Sequence, residues 1–236
     1  MPQKNIMERL AKAISARGFC SRREAERQII SGNVKVNGEK ILDVVTFVSS
    51  EDVIEVQNVK LSQIHPRLWS YYKPRGLVTT HNDPQKRPTV FDNLSIKNAS
   101  HIISIGRLDI ESEGLLLLTN NGELARKFEL PSSGLARVYK VKAYGNFRAN
   151  EIRLLENGIT IDSIAYKQCK IEHIKSNIKN HWFSVTLYEG KNREVRKLFE
   201  YIDLEVSRLI RISYHIYNLE DLKPGEVREE QIDPEF

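Results

Sequence analysis

The sequence predicts an α+β protein, in which a small helical module with a β-hairpin precedes a larger, mainly antiparallel mixed sheet with flanking helices. The apolar run 115–118 is typical of a buried strand. Residues 137–143 alternate in polarity, as a strand with one buried face does. Val195, Leu198 and Phe199 recur at the spacing of one helical face. The length of 236 residues gives room for one or two domains.

The composition is that of a soluble globular protein, with 40% hydrophobic and 28% charged residues. No apolar run approaches the roughly 20 residues of a membrane-spanning helix, and no apolar segment at the N-terminus resembles a secretion signal. Cys20 and Cys169 lie far apart, without a CxxC pair or a neighbouring histidine cluster. The sequence therefore predicts a cytoplasmic protein with reduced thiols, no metal site and no cofactor.

Positive charge is concentrated at the N-terminus. The first forty residues hold nine basic and four acidic residues, an excess equal to the net charge of +5 of the whole chain. A basic patch on a small module is typical of a protein that binds a polyanion such as nucleic acid. A merely solvated charged surface explains the charge run equally well at this point.

The N-terminal module begins with two predicted helices. Residues 10–14 have helical apolar spacing, and Gly18 can end that helix. The pattern Ser21–Glu24 is a capping box that opens a second helix, which ends near Gly32. This helix is expected to bury Ala25, Ile29 and Ile30. Its first turn displays two arginines, which a helix N-terminus disfavours, so they more plausibly serve an external anion.

A hairpin completes the module. Val34–Val36 alternates as a short strand, Asn37-Gly38 is a strong turn signal, and Val53–Val56 predicts a further strand. Together with the helices, residues 8–56 resemble the αL RNA-binding module of a small-subunit ribosomal protein (S-four), tyrosyl-tRNA synthetases and several RNA-modifying enzymes. The resemblance implies contacts to RNA phosphates from Arg9, Arg17, Ser21, Arg22, Arg23 and Lys35. Arg9 and Arg17 are explained equally well as ordinary surface residues.

A linker separates this module from the rest of the chain. Residues 57–67 have mixed polarity and include His65-Pro66, where proline disfavours a helix. We therefore expect an RNA-binding domain at residues 1–59, a linker at 60–67 and a catalytic domain at 68–236.

Asp109 lies just before the buried run, within the stretch Gly106–Gly114. A carboxylate at the entrance to a buried strand has neighbours that can control its pKa and direction, as a nucleophile or an acid/base requires. Taken alone, Asp109 is better explained as a loop aspartate paired with the nearby Arg107.

Other charged and aromatic residues also allow two explanations. Lys73 and Arg75 flank a turn that either grips phosphate or is an ordinary Pro-Gly turn. Tyr139 is either a core residue or a ring that stacks on a base. Arg196 lies beside the apolar face of its helix and can turn inward toward a carboxylate. Phosphate binding at the start of that helix would use Lys191, Asn192 and Arg193.

These motifs together resemble the RsuA-type family of ribosomal RNA pseudouridine synthases. The resemblance rests on the segments 72–76, 106–116, 139–141, 189–199 and 206–211. Segments 82–84 and 87–92 are most similar to the RluB branch, whose members act on large-subunit (23S) ribosomal RNA. One departure is His215-Ile216, where relatives usually carry Gly and Pro, so the end of that strand is expected to differ.

The resemblance implies an isomerase that converts a uridine to pseudouridine in ribosomal RNA, as a monomer and without a cofactor. Asp109 would be the essential carboxylate, either attacking the sugar or base or removing a sugar proton. Arg196 would pair with Asp109, and Tyr139 would stack on the flipped base with Leu209 packed against it. The RNA backbone would be held by Lys73, Arg75 and Arg107. Two alternatives stay open: a non-catalytic ribosome-assembly factor, and a synthase acting on transfer RNA or small-subunit ribosomal RNA.

Overall fold

The computed structural model describes residues 7–96 and 101–236. The chain forms two compact units, whose main parts are separated between Arg67 and Leu68. Within the described ranges, no helix is long and apolar enough to cross a membrane.

The first unit packs two helices against short antiparallel strands. Its elements are β1 (Glu8–Arg9), α1 (Leu10–Ala16), α2 (Arg22–Ile30), β2 (Val34–Val36), β3 (Glu39–Ile41), β4 (Phe47–Val48), β5 (Ile54–Val56) and β6 (Val59–Lys60). The sheet order is β3-β2-β5-β6, and β1 pairs separately with β4. Leu10, Ile14, Ile29 and Ile54 are fully buried, so both helices and the sheet share one core.

Local sequence signals set the ends of these elements. The Ser21 hydroxyl accepts the Glu24 backbone N–H at 3.3 Å and caps α2. Asn37 and Gly38 both have positive φ, as the tight turn between β2 and β3 requires. Ile30 was expected to be inward but is 66% exposed, because it is the last residue of α2 and lies off its buried face. The strand β6 extends this sheet just beyond residue 59, into the expected linker.

The second unit is built on a mixed, mainly antiparallel sheet. From Leu68 onward the elements are β7 (Leu68–Lys73), β8 (Ile103–Ser104), β9 (Glu113–Thr119), α3 (Gly122–Glu129), β10 (Arg137–Tyr144), α4 (Ala149–Glu156), β11 (Ile159–Ile161), β12 (Ile164–Tyr166), β13 (Lys170–Asn177), β14 (Asn180–Leu187), α5 (Glu194–Tyr201), β15 (Glu205–Tyr214), β16 (Tyr217–Asn218) and β17 (Val227–Glu230). The strand order is β13-β14-β10-β15-β9-β7-β17. Only the β9–β15 pair is parallel along this path. The predicted α+β class is confirmed.

The periodic segments occupy the positions that their patterns predicted. All seven residues of β9 are buried, as an apolar run in the middle of a sheet should be. Along β10, Tyr139, Val141 and Ala143 are inward and 8% exposed or less. The apolar face of α5 is buried, and this helix packs against β15.

Gly114 allows the two parallel strands to approach each other closely. Its φ is +106°, and a side chain there would place Cβ 2.3 Å from the backbone oxygen of Arg211. A glycine is therefore required at this position. It brings the start of β9, and with it the preceding Asp109 loop, beside β15.

The departure at His215-Ile216 forms a two-residue turn between β15 and β16. His215 has a φ of +57°, and its backbone N–H donates to the Ala136 carbonyl at 2.8 Å. Its ring Nε2 lies 2.7 Å from Asp233 Oδ2. These contacts fix the strand end without a Gly-Pro pair.

Candidate active site

A cavity of about 710 Å³ lies in the second unit. Its wall includes the Asp109 loop, inward residues of β10 and β15, and the segment that leads into α5. Seven of the sequence-predicted site residues line it: Arg107, Asp109, Tyr139, Lys191, Asn192, Arg193 and Leu209. The fold thus brings together residues that lie as far apart in the chain as Arg107 and Leu209.

Asp109 is held on a tight turn just before β9. Its backbone carbonyl accepts the Ser112 N–H at 3.0 Å, and the next residue's carbonyl accepts the Gly76 N–H at 2.8 Å. The carboxylate itself remains 37% exposed and lines the cavity. A fixed backbone with an accessible carboxylate is the arrangement that a nucleophile or base requires.

Lys73 supports this turn from beneath. Its side chain is fully buried at the end of β7, and its ammonium donates to the carbonyls of Pro74 (3.2 Å), Asp109 (3.1 Å) and Ser112 (2.9 Å). Burial lowers its pKa to about 8, against the opposing charges of Asp109 and Glu113. The expected contact of Lys73 with RNA phosphate is therefore wrong, because the ammonium has no exposed surface.

The arginine nearest to Asp109 is not the expected one. Arg193 Nη1 lies 4.0 Å from Asp109 Oδ2. Arg196 instead donates to the Val206 carbonyl at 2.9 Å, and its Nη2 lies 3.9 Å from Glu111 Oε2. The expected Asp109–Arg196 ion pair is thus replaced in this structure by Asp109–Arg193.

Arg196 is nevertheless drawn inward, with only 12% of its side chain exposed. Burial lowers its pKa, while the carboxylates of Glu111 and, more weakly, Asp109 oppose that shift. Its cation therefore still acts on Asp109 through space.

Tyr139 and Leu209 lie on neighbouring strands of the cavity wall. They are 8% and 6% exposed, respectively. The register places Leu209 opposite Val141, one inward position along β10 from Tyr139, so the two site residues are diagonal neighbours. Opposite Tyr139 itself stands Arg211.

Two buried arginines in the cavity escaped the sequence reasoning. Arg137 and Arg211 are 7% and 3% exposed and flank the ring of Tyr214, which also lines the cavity. The sequence could have indicated Arg137 as a site residue, because the strand alternation places Arg137 on the same inward face of β10 as Tyr139. A charged residue at an inward strand position is worth attention in any sequence.

The start of α5 is already occupied by the protein's own carboxylates. Glu194 accepts the Lys191 backbone N–H at 3.0 Å, and the Lys191 ammonium donates to Glu189 at 2.6 Å. Burial raises the pKa of Glu194 to about 7, helped by the neighbouring Glu189. The expected phosphate site at this helix start therefore reduces to the exposed Asn192 and Arg193.

The remaining candidates for RNA contact differ in accessibility. Five are exposed at the surface: Arg9, Arg22, Arg23, Arg75 and Arg107. Arg17 is half-buried, and its guanidinium lies 3.4 Å from the Asp52 carbonyl, while Lys35 donates to Asn58 at 3.3 Å. Ser21 serves as the cap of α2. Their contacts with RNA stay predictions.

Within residues 7–96 and 101–236, no group of three or more His, Cys, Asp or Glu side chains is arranged to hold a metal ion.

Comparisons with known proteins identify the families to which the two parts of the chain are similar. The sequence model of the RNA pseudouridylate synthase family matches residues 67–201, and that of the S4 domain matches residues 8–54. A Rickettsia conorii protein described as an uncharacterized RNA pseudouridine synthase is 53% identical, with 94% of this chain and 96% of the relative covered. Ribosomal large subunit pseudouridine synthase B of Buchnera aphidicola is 38% identical, with 94% and 92% covered.

A solved structure is similar over the same extent. The crystal structure of a pseudouridylate synthase superposes with a TM-score of 0.66 and 26% identity, covering 94% of this chain and 96% of that one. The family match spans more than half of the chain, and the cavity falls largely within it. The chain therefore belongs to the RNA pseudouridylate synthase family and joins its catalytic domain to an N-terminal S4 domain.

Proposed function

We propose that this chain converts one uridine of large-subunit ribosomal RNA to pseudouridine and that Asp109 is the essential carboxylate. The observation that carries the proposal is the shared cavity of Asp109 and Tyr139, next to several cationic side chains. The name of the Buchnera relative supports the large subunit as the source of the RNA.

The reaction exchanges one bond of the base for another. The C1′–N1 bond of uridine breaks, the uracil turns, and a C1′–C5 bond forms. The base then loses the proton on C5 and gains one on N1, so that no oxidant or group donor is consumed. Asp109 acts either by attacking the sugar or base or by removing a sugar proton.

The neighbours of Asp109 suit either role. Arg193, at 4.0 Å, and the buried Arg196 supply positive charge near the carboxylate. Lys73 and Ser112 fix the turn beneath it, so that little reorganisation is needed during reaction. Tyr139 would support the uracil ring by stacking as the base turns.

Access to the cavity requires the uridine to leave its stack, at a cost of a few kcal/mol. The exposed Arg75 and Arg107 would offset part of this cost by holding the displaced backbone. The S4 domain, with Arg22 and Arg23 in the first turn of α2, would supply sequence-independent affinity for structured RNA.

The test compares pseudouridine maps of ribosomal RNA from cells with the gene, without it, and with Asp109→Asn. We expect one large-subunit position to lose pseudouridine both in the deletion and in the variant. Purified Asp109→Asn should still bind the RNA segment that contains that position. Asp203→Asn is the matched control, because Asp203 is exposed and its φ of +56° suits asparagine.

Two outcomes contradict the proposal. Normal modification by Asp109→Asn would exclude that carboxylate as essential. Unchanged maps in the deletion strain would exclude large-subunit ribosomal RNA as the substrate.

A further inference from the structure

Two cations in the cavity wall lack a carboxylate partner. Arg137 and Arg211 are at least nine-tenths buried, and among the described residues no carboxylate forms an ion pair with either. The carboxylates that share the cavity have other partners. Asp109 lies near Arg193, Glu129 accepts the Gly106 N–H, and Glu189 and Glu194 bind Lys191.

The two guanidinium groups are bound differently. Arg137 donates to the Leu135 carbonyl at 3.1 Å and to the Tyr214 hydroxyl oxygen at 2.7 Å, so it is tied to the wall. Among the described residues, Arg211 donates through Nε alone, to the Leu115 carbonyl at 2.7 Å. Its Nη2 is buried without a hydrogen-bond partner in the described part of the chain. A buried cation with vacant donors is costly unless an acceptor completes it.

The aromatic ring of Tyr214 holds this pair together. The guanidinium carbons of Arg137 and Arg211 lie 4.5 Å and 5.3 Å from the ring centroid. The Tyr214 hydroxyl donates in turn to the Phe128 carbonyl at 2.8 Å, which fixes the ring. These contacts fix the orientation of the Arg211 side chain, which lines the cavity.

Arg211 also stands next to the residue that is expected to stack on the base. It pairs directly with Tyr139 across β10 and β15, and both side chains line the cavity. The exposed Arg75 and Arg107 are better placed for phosphates, which remain at the surface. A buried donor beside Tyr139 is suited to the edge of a base inserted into the cavity.

We propose that Arg211, supported by Arg137 and Tyr214, donates a hydrogen bond to a carbonyl oxygen of the target uracil and stabilises negative charge on that oxygen during the reaction. The inference rests on the proposed function. It adds a catalytic residue, Arg211, and two positioning residues to the site.

The chemistry requires such a donor whichever role Asp109 takes. When C1′–N1 breaks, its electron pair leaves with the uracil and spreads over O2 and O4. When Asp109 instead adds to C6 of the base, the charge collects on O4. On the C6 route the C1′–N1 bond breaks from the adduct. In each case the charge is lost again as C5 bonds to C1′, C5 releases its proton and N1 takes one up. Any bond that Asp109 formed to the base or sugar then breaks to free its carboxylate, and a proton removed from the sugar returns to it. A fixed donor at the charged oxygen therefore lowers the barrier.

The test measures single-turnover rates with saturating enzyme and an RNA segment that carries the mapped uridine. Wild type and Arg211→Met are compared on three RNAs, with uridine, 2-thiouridine or 4-thiouridine at the target. We expect Arg211→Met to slow uridine conversion about 100-fold, while the Kd for RNA changes by less than about threefold.

The thio-substituted RNAs identify the contacted atom. Sulfur accepts hydrogen bonds poorly, so one of the two RNAs should slow wild type strongly and Arg211→Met far less. This non-additive pattern is the signature of a direct contact and cancels any general effect of the substitution on folding. If Arg211→Met does not fold, Arg211→Lys replaces it in the comparison. Lysine keeps the positive charge but lacks the planar guanidinium and its paired N–H donors.

Three results separate the alternatives. A weaker Kd with an unchanged rate would indicate a phosphate contact and overturn the inference. Equal thio effects in the wild type and the variant would overturn it as well. Failure of wild type to convert any uridine would refute the proposed function itself, before Arg211 is tested.

Discussion

The variant Lys73→Met distinguishes most clearly between two roles of Lys73, supporting the turn that carries Asp109 or contacting RNA. The substitution keeps the length and apolar stem of the side chain but removes the ammonium. The carbonyls of Asp109 and Ser112 then lose a charged donor at 3.1 and 2.9 Å inside the protein. The Asp109 carbonyl still accepts the Ser112 N–H, so the main cost is the Ser112 carbonyl left without its donor. An unsatisfied buried carbonyl costs roughly 1–3 kcal/mol, and we expect a loss of that size in the free energy of unfolding.

The effect on catalysis follows from the same geometry. Without the ammonium, the turn that carries Asp109 loses its support, and a shift of about 1 Å in a reacting group lowers a rate about 100-fold. We therefore expect a large fall in the single-turnover rate and little change in the Kd for RNA. Urea unfolding, rapid-quench kinetics and filter binding measure the three quantities.

Arg75→Met is the matched control, two residues away and exposed. It should weaken RNA binding, reduce the salt dependence of binding by about one unit of slope, and leave the unfolding free energy unchanged. The reasoning is refuted if the two variants exchange phenotypes, with Lys73→Met losing RNA affinity while keeping its stability.

Two further predictions concern the start of α5 and the S4 domain. The pKa of Glu194 rises from an ordinary 4.5 to about 7, so the native state holds a proton that the unfolded chain releases, and the contribution of Glu194 to the unfolding free energy should fall as the pH rises from 4.5 to 7. Glu194→Gln should remove this component in urea titrations at several pH values, and an unchanged pH profile would show that Glu194 is not protonated. The double variant Arg22→Ala/Arg23→Ala should lower the salt slope of RNA binding by about 1.8. Arg153→Ala, an exposed change on α4, is its control, and equal slopes in all three proteins would exclude α2 as an RNA contact.

The fold could be predicted from the sequence largely because its periodic segments are long and internally consistent. The Asn37-Gly38 turn and the apolar stripe of α5 specify local structure by themselves. The strand β17, which borders β7, was not anticipated, because Val227–Glu230 has little apolar character and depends on its partner strand.

The candidate site was predicted less completely, because the side chain of a charged residue at a strand end can point either into the protein interior or toward solvent. The segment that contains Lys73 and Arg75 reads as one basic turn, yet one side chain is fully buried and the other exposed. Which of them faces inward depends on the Asp109 turn, which lies more than thirty residues later in the sequence. The choice between Arg193 and Arg196 as the neighbour of Asp109 likewise depends on how α5 docks.

The parallel pairing of β9 with β15 affects the order in which the two parts of the protein can fold during synthesis. Its partners, Gly114 and Arg211, are almost a hundred residues apart, so the cavity wall is closed only after nearly the whole chain has left the ribosome. The S4 domain spans residues 8–54, and the strands β1–β6 pair only with one another in the described structure, so this domain can fold earlier. A nascent chain would thus acquire its capacity to bind RNA before its capacity to modify it.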